Sequence, residues 1–302
     1  MMYTRRKVLY NLIRELGNPN NVVIQKAMFL LTRSYFDGTK LYDFFPHKRG
    51  CYSLRLSGDY HYLADNGFLY EDFDTEKYKV VDSYTNSMDF FLDKNSQEII
   101  RNFAKKISSM DEYELVKYSY EQYPFFAIRS EIVSELEIGE PFLSDINTEI
   151  ERVKESEHAL YTIGYEGRSI DNLISELISR NIYMLVDVRK NAYSMQHEFS
   201  GHFLKLAMEE AGISYIHCPE VGIRSDKRQE LLPMGMQEEL FAWYKDQVLP
   251  LSSAFVEKSY LWFKKGSIAF MCYEKDPSDC HRSRLADYCL KIEPRFSKVI
   301  HI

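Results

Sequence analysis

The chain has 302 residues, 45% of them hydrophobic and 15% aromatic, and a formal net charge of −7. That length exceeds the usual reach of one hydrophobic core, and the apolar content excludes overall disorder, so two domains are expected. No apolar run approaches the ~20 residues that span a bilayer, and the segment from Met1 to Lys7 is not followed by the apolar stretch of a secretion signal, so a cytoplasmic protein is expected.

Residues 4–16 place Val8, Leu9, Leu12, Ile13 and Leu16 at helical spacing and stop at Gly17-Asn-Pro19. A second helix is read over 21–35, ended by Asp37-Gly38. Phe44-Phe-Pro and Gly50-Cys-Tyr-Ser follow, then a helix near 57–66 and short strands at Phe68-Leu-Tyr and Tyr78-Lys-Val-Val. Two further helices are expected within 95–137, and the Glu-rich stretch 138–158 reads as a linker helix. Helices followed by a short β-ribbon predict a mainly helical, winged-helix-like domain over 1–137. Residues 1–70 hold ten basic against five acidic side chains, a balance of +5 that leaves −12 for the remainder. A basic module on an acidic chain points to DNA or RNA, with Lys48, Arg49 and Arg55 as the contacting residues; solvated helix faces explain the same charges.

From Leu160 the pattern changes to alternating strands and helices. Strands are read at 159–164, 183–188, 213–217, 268–272 and 298–302, with helices at 169–179, 203–211, 240–262 (broken at Pro250) and 280–290. Apolar strands joined by helical crossovers require an α/β fold, a mostly parallel sheet with helices on both faces, over 159–302.

The motifs of this half occur in a fixed order. Tyr161-Thr-Ile-Gly-Tyr-Glu-Gly-Arg opens the domain, then Leu185-Val-Asp-Val-Arg-Lys-Asn, Gly212-Ile-Ser-Tyr-Ile-His-Cys-Pro-Glu-Val-Gly-Ile, and Met271-Cys-Tyr-Glu-Lys-Asp with Cys280-His-Arg. In these it resembles the family catalogued as domain of unknown function 488. The resemblance implies a rhodanese-like architecture but no particular activity. The chain departs from the family at Asn191-Ala-Tyr-Ser-Met, which lacks the proline expected near Ala192 and the basic residue expected near Met195. The N-terminal part loosely resembles Panacea antitoxin-like domains in Gln25-Lys26, an aromatic helix, a Phe-Pro segment and Tyr52-Ser53.

The densest chemistry lies between Cys272 and Cys289. A buried strand ends at Cys272, a polar loop follows, and Ser278 or Asp279 is read as the cap of a helix starting near Cys280. Cys272 reads as a nucleophile if a helix N-terminus and Arg282 lower its pKa, and as an inert buried thiol otherwise. Glu274, His281 or His197 could move protons. Asp187, Arg189, Cys280 and Arg282 read as an anion site at the sheet edge, or as an ion pair that only fixes loops. Glu220 is placed on the same edge, and Tyr165-Glu166 on a turn whose glycines allow close backbone approach. Neither GxGxxG nor GxxxxGK occurs, so no nucleotide cofactor is expected. Five cysteines form no disulfide framework. Seven residues separate Cys272 from Cys280 and no CxxC occurs, so no metal site is expected; His217-Cys218 gives only a weak one.

These features predict an enzyme acting on a phosphate-bearing substrate, a nucleotide or nucleic acid, in a DNA-repair or phage-defence setting. Cys272, Glu274 and His281 would carry the chemistry, and Asp187, Arg189, Glu220, Cys280, Arg282, Tyr165 and Glu166 would bind substrate. The alternative is a non-catalytic, antitoxin-like regulator that senses a small anionic ligand and binds DNA or a partner protein.

Overall fold

The computed structural model describes residues 2–36, 41–84, 87–224, 226–227, 230 and 236–302. They fall into two compact units, Met1–Arg152 and Val153–Ile302. Among the described residues no helix is long and apolar enough to cross a membrane.

In the first unit, helix α1 (Thr4–Leu16) buries Val8, Leu9, Leu12 and Ile13. It stops at Gly17, whose φ of 84° is a left-handed conformation that glycine adopts without strain. Helix α2 (Asn21–Tyr35) begins where the Asn20 side chain accepts a hydrogen bond from the Val23 amide. Asp37-Gly38, expected to end it, lie outside the described residues. A hairpin follows, β1 (Phe45–His47) against β2 (Gly50–Tyr52), in a segment whose residue pattern predicts no strand.

Helix α3 (Leu54–Asp65) starts earlier than its pattern predicts, because the Ser53 hydroxyl caps the Leu56 amide and the Gln25 side chain holds the Ser53 amide. A second hairpin pairs β3 (Leu69–Asp72) with β4 (Lys77–Val80), and α4 (Lys94–Ile107), α5 (Glu112–Gln122) and α6 (Glu140–Lys154) complete the order. Asp59 is buried and accepts from Arg5, Arg6 and Tyr42, so this carboxylate does not stand uncompensated.

The second unit is an α/β sheet of five parallel strands. In chain order these are β5 (Leu160–Gly164), α7 (Ile170–Ser179), β6 (Ile182–Asp187), α8 (Gly201–Glu210), β7 (Ser214–His217), α9 (Gln237–Gln247), α10 (Ser253–Phe263), β8 (Ser267–Cys272), α11 (His281–Ile292) and β9 (Val299–His301). The strands lie in the order β7-β6-β8-β5-β9, every neighbouring pair parallel. Successive strand residues point to opposite faces, yet every residue of β5 and β8 is buried, so both faces of the sheet centre are covered. The edge strands β7 and β9 are only partly buried.

Register decides what meets at the sheet's C-terminal edge. Gly164 pairs with Cys272, and Asp187 pairs with Met271, so the ends of β5, β8 and β6 lie side by side. Between β5 and β6 the chain passes over β8, and such a reversal of strand order is where α/β sheets open a crevice.

Candidate functional site

Beyond the strand ends, a cleft of about 400 Å³ is lined by Tyr165, Arg189, Lys190, Asn191, Tyr193, Ser194, Met195, Gln196, Ile223, Cys272 and Tyr273. Four strand-end segments build it, following β5, β6, β7 and β8, and two glycines let them close on one another. A Cβ on Gly164 would collide with the carbonyl group of Glu274, and one on Gly222 with the backbone at Arg189 and Lys190. Only glycine permits the loop after β8 to cross the end of β5 this closely.

Cys272 ends β8 at the floor of the cleft with its side chain buried. Its Sγ donates to Glu274 Oε2 at 3.2 Å and lies 3.7 Å from His281 Nδ1. His281 is the first residue of α11, and its Nε2 meets the Val188 carbonyl at 3.0 Å. A carbonyl only accepts, so Nε2 carries a proton, and in the neutral ring the Nδ1 lone pair faces the sulfur. A thiol, a carboxylate and an oriented imidazole therefore meet, as the sequence reading placed Cys272, Glu274 and His281 together. His197 is not part of this group; it packs its ring on Phe203.

The start of α11 differs in detail from expectation. Cys280, not Ser278 or Asp279, is the N-cap residue, and its side chain makes no capping bond. The residues before it form a 3-10 turn, Pro277–Asp279, capped by Asp276. The Cys280 thiol is thus left facing inward, 4.0 Å from His281 Nδ1. Burial, and then the neighbouring Cys272, push it well above the ordinary thiol range. The sulfur atoms of Cys272 and Cys280 and a ring nitrogen of His281 all lie within 4.8 Å of one another. The spacing argument against a metal counted intervening residues along the chain, whereas the strand-to-helix turn folds them away.

The arginines are placed differently from an open anion clamp. Arg189 is buried and bidentate to Asp187, with Nε to Oδ1 at 2.8 Å and Nη2 to Oδ2 at 2.6 Å. It also donates to the Tyr165 hydroxyl and the Phe199 carbonyl. Asp187 accepts a further bond from the Tyr215 hydroxyl at 2.8 Å, a partner that sequence reasoning missed. Burial works against the Arg189 charge, but the Asp187 bonds outweigh it and its pKa is raised.

Arg282 is fully buried and donates to the Glu274 carbonyl at 2.5 Å and the Lys275 carbonyl at 3.0 Å, so it pins the loop that carries Glu274. Its Nε has no hydrogen-bond partner among the described residues.

The remaining expected binders divide. Tyr165 lines the cleft, stacked on Phe199 at 4.4 Å. Glu166 accepts from the Lys275 amide and so acts as a further loop brace. Glu220 lines a separate pocket with Lys258 and Phe255, away from Cys272. His217 bonds the Arg189 carbonyl and Cys218 packs in the apolar core. Cleft residues that the motifs gave little reason to choose are Lys190, Tyr193, Met195 and Tyr273. Tyr193 and Met195 are 77% and 97% exposed, unusual for large apolar side chains.

In the first unit, Lys48 and Arg49 line a pocket of about 340 Å³ with Asn21, Gln25, Lys26 and Tyr52. Arg49 also reaches Glu112 at 3.2 Å. Arg55 lies in the first turn of α3, outside that lining. Lys26 is buried with its Nζ on the Cys51 carbonyl, and burial lowers its pKa.

Residues 169–289 match the model of the family described as Domain of unknown function DUF488. No curated protein and no solved structure matches the chain.

Proposed function

We infer that this chain, whose C-terminal half carries a DUF488 domain, is an enzyme acting on a phosphate-bearing substrate with an aromatic base, a nucleotide or nucleic acid. The observation that carries the reading is the Cys272 thiol bonded to the Glu274 carboxylate at the floor of an open cleft. Glu274 takes up the thiol proton, and the resulting anionic sulfur is the reactive centre, with His281 beside it to accept or return a proton. An anionic sulfur serves as a nucleophile or as a metal ligand.

The cleft lining supports the substrate class. Tyr193 and Tyr273 offer exposed ring faces on which a base can stack, and Lys190 supplies a cation for phosphate. Arg189 and Arg282 act behind them as positioning residues, holding the strand-end loops in place. The architecture of the unit is read as rhodanese-like and that of the first unit as winged-helix-like. Lys48 and Arg49 in the first unit suit a nucleic-acid backbone delivered to the enzyme.

The test is a mass-spectrometric scan of nucleotides and of single- and double-stranded DNA and RNA incubated with the full chain. Conversion of one class is expected, with Tyr273→Ala raising KM more than it lowers kcat. Salt-sensitive binding without conversion would refute the enzyme and leave the antitoxin-like regulator.

A further inference from the structure

The head of α11 brings together more ligand atoms than acid–base chemistry at Cys272 uses. Cys272 Sγ and Cys280 Sγ stand 3.7 Å and 4.0 Å from His281 Nδ1. All three residues are buried, and the three donor atoms lie within 4.8 Å of one another. Tetrahedral zinc, with Zn–S about 2.3 Å and Zn–N about 2.0–2.1 Å, sets sulfur and nitrogen ligands roughly 3.5–3.6 Å apart. The two sulfur-to-nitrogen distances need only a few tenths of an ångström of contraction to meet that geometry.

The imidazole is also presented as a ligand. Its Nε2 proton is held by the Val188 carbonyl, the kind of outer contact that fixes tautomer and ring direction in metal-bound histidines. In the neutral ring this directs the Nδ1 lone pair at the two sulfurs. Two buried thiols around one lone pair gain little from each other, since S–H is a weak donor.

We propose that Cys272, Cys280 and His281 form a zinc site with three protein ligands, the fourth position being left to a water or a substrate atom. Binding releases two protons, one from each thiol, and Glu274 is placed to carry the Cys272 proton away. Replacing two protons by a dication leaves the net charge of the buried cluster unchanged, so no new charge has to be desolvated. Three protein ligands and an open position are the pattern of catalytic rather than structural zinc. The inference rests on the reading of this cluster as the reaction centre, and it moves the reactive group from the sulfur to the ion.

The experiment is elemental analysis of the full chain purified without chelators, followed by exchange of the bound ion for Co²⁺. About one zinc per chain is expected, with an intense near-ultraviolet sulfur-to-cobalt band after exchange. Cys280→Ser should lose stoichiometric zinc and that band while keeping its far-ultraviolet circular dichroism. Cys289→Ser removes a buried thiol outside the cluster and should keep both.

Protein that holds neither zinc nor cobalt, with Cys272 and Cys280 both open to alkylation or joined as a disulfide, would overturn the site and leave the proposed enzyme standing. Stoichiometric zinc without turnover of any nucleotide or nucleic acid would uphold the site and refute the proposed substrate class.

Discussion

Asp187→Ala is the substitution whose consequence the structure fixes most firmly. The Asp187 carboxylate is fully buried and accepts from the Arg189 amide, Arg189 Nε and Nη2, and the Tyr215 hydroxyl. Removing it leaves the Arg189 guanidinium, itself only 5% exposed, with the Tyr165 hydroxyl and the Phe199 carbonyl but no counter-charge. Breaking a buried pair from one side costs about 3–5 kcal/mol, because the remaining charge cannot reach water. For a unit of this size each kcal/mol shifts Tm by roughly 2–4 °C, so a fall of about 6–20 °C is expected in thermal denaturation followed by circular dichroism. The double variant Asp187→Ala/Arg189→Met should lose less than the sum of the single variants, since it removes the stranded charge as well. A loss below about 1 kcal/mol for Asp187→Ala, or additive single effects, would refute the claim that this pair holds the cleft wall.

Gly164→Ala forces a methyl group into the Glu274 carbonyl; overpacking of this kind costs about 1–3 kcal/mol, and turnover should fall more than substrate affinity as Glu274 is displaced. Equal effects on kcat and stability-matched controls would argue against a positional role. Burial pushes the Cys51 thiol up to about 11 and the Cys289 thiol up to about 12. The folded chain then keeps protons that the unfolded chain loses above pH ~8.5, so this contribution to stability is complete below that pH and lost as pH rises toward 11–12, at up to about 1.4 kcal/mol per unit per thiol. Urea midpoints between pH 7 and 10.5 should show the decline, and Cys289→Ala should flatten it. Lys48→Gln should lower the slope of log binding constant against log salt by about one for any nucleic acid bound, whereas an unchanged slope would remove Lys48 from the contact.

How much was legible in advance follows from what kind of information each feature carries. The strands of the second unit were readable because a doubly covered parallel sheet needs near-continuous apolar runs, as in Ser267–Cys272, and each run ends at a polar motif. Those motifs lie at the strand ends that line the cleft, because strand ends at a chain reversal converge whatever the loops do. Side-chain direction was not legible. Arg189 and Arg282 look like anion binders in the sequence, yet one closes on Asp187 two residues before it and the other turns back onto the loop preceding its own helix. Glu220 shares an edge with Cys272 in sequence order, but the turn at Pro219–Val221 sends it to another pocket. The approach of Cys280 to Cys272 depends on a 3-10 turn over Pro277–Asp279 that shortens the connection, a tertiary fact no spacing rule encodes. In the first unit, the start of α3 was misplaced because its cap, Ser53, is fixed by Gln25 from a distant helix.

The central claim is that the contact between Cys272 and Glu274 is the working part of the cleft. It is tested most directly by steady-state kinetics of the wild type and Glu274→Gln on whichever nucleotide or nucleic acid the scan identifies. The exchange keeps the side chain's size and removes its capacity to take a proton, so kcat should fall by about 10²–10⁴-fold with KM little changed. Undiminished kcat in Glu274→Gln would contradict the account.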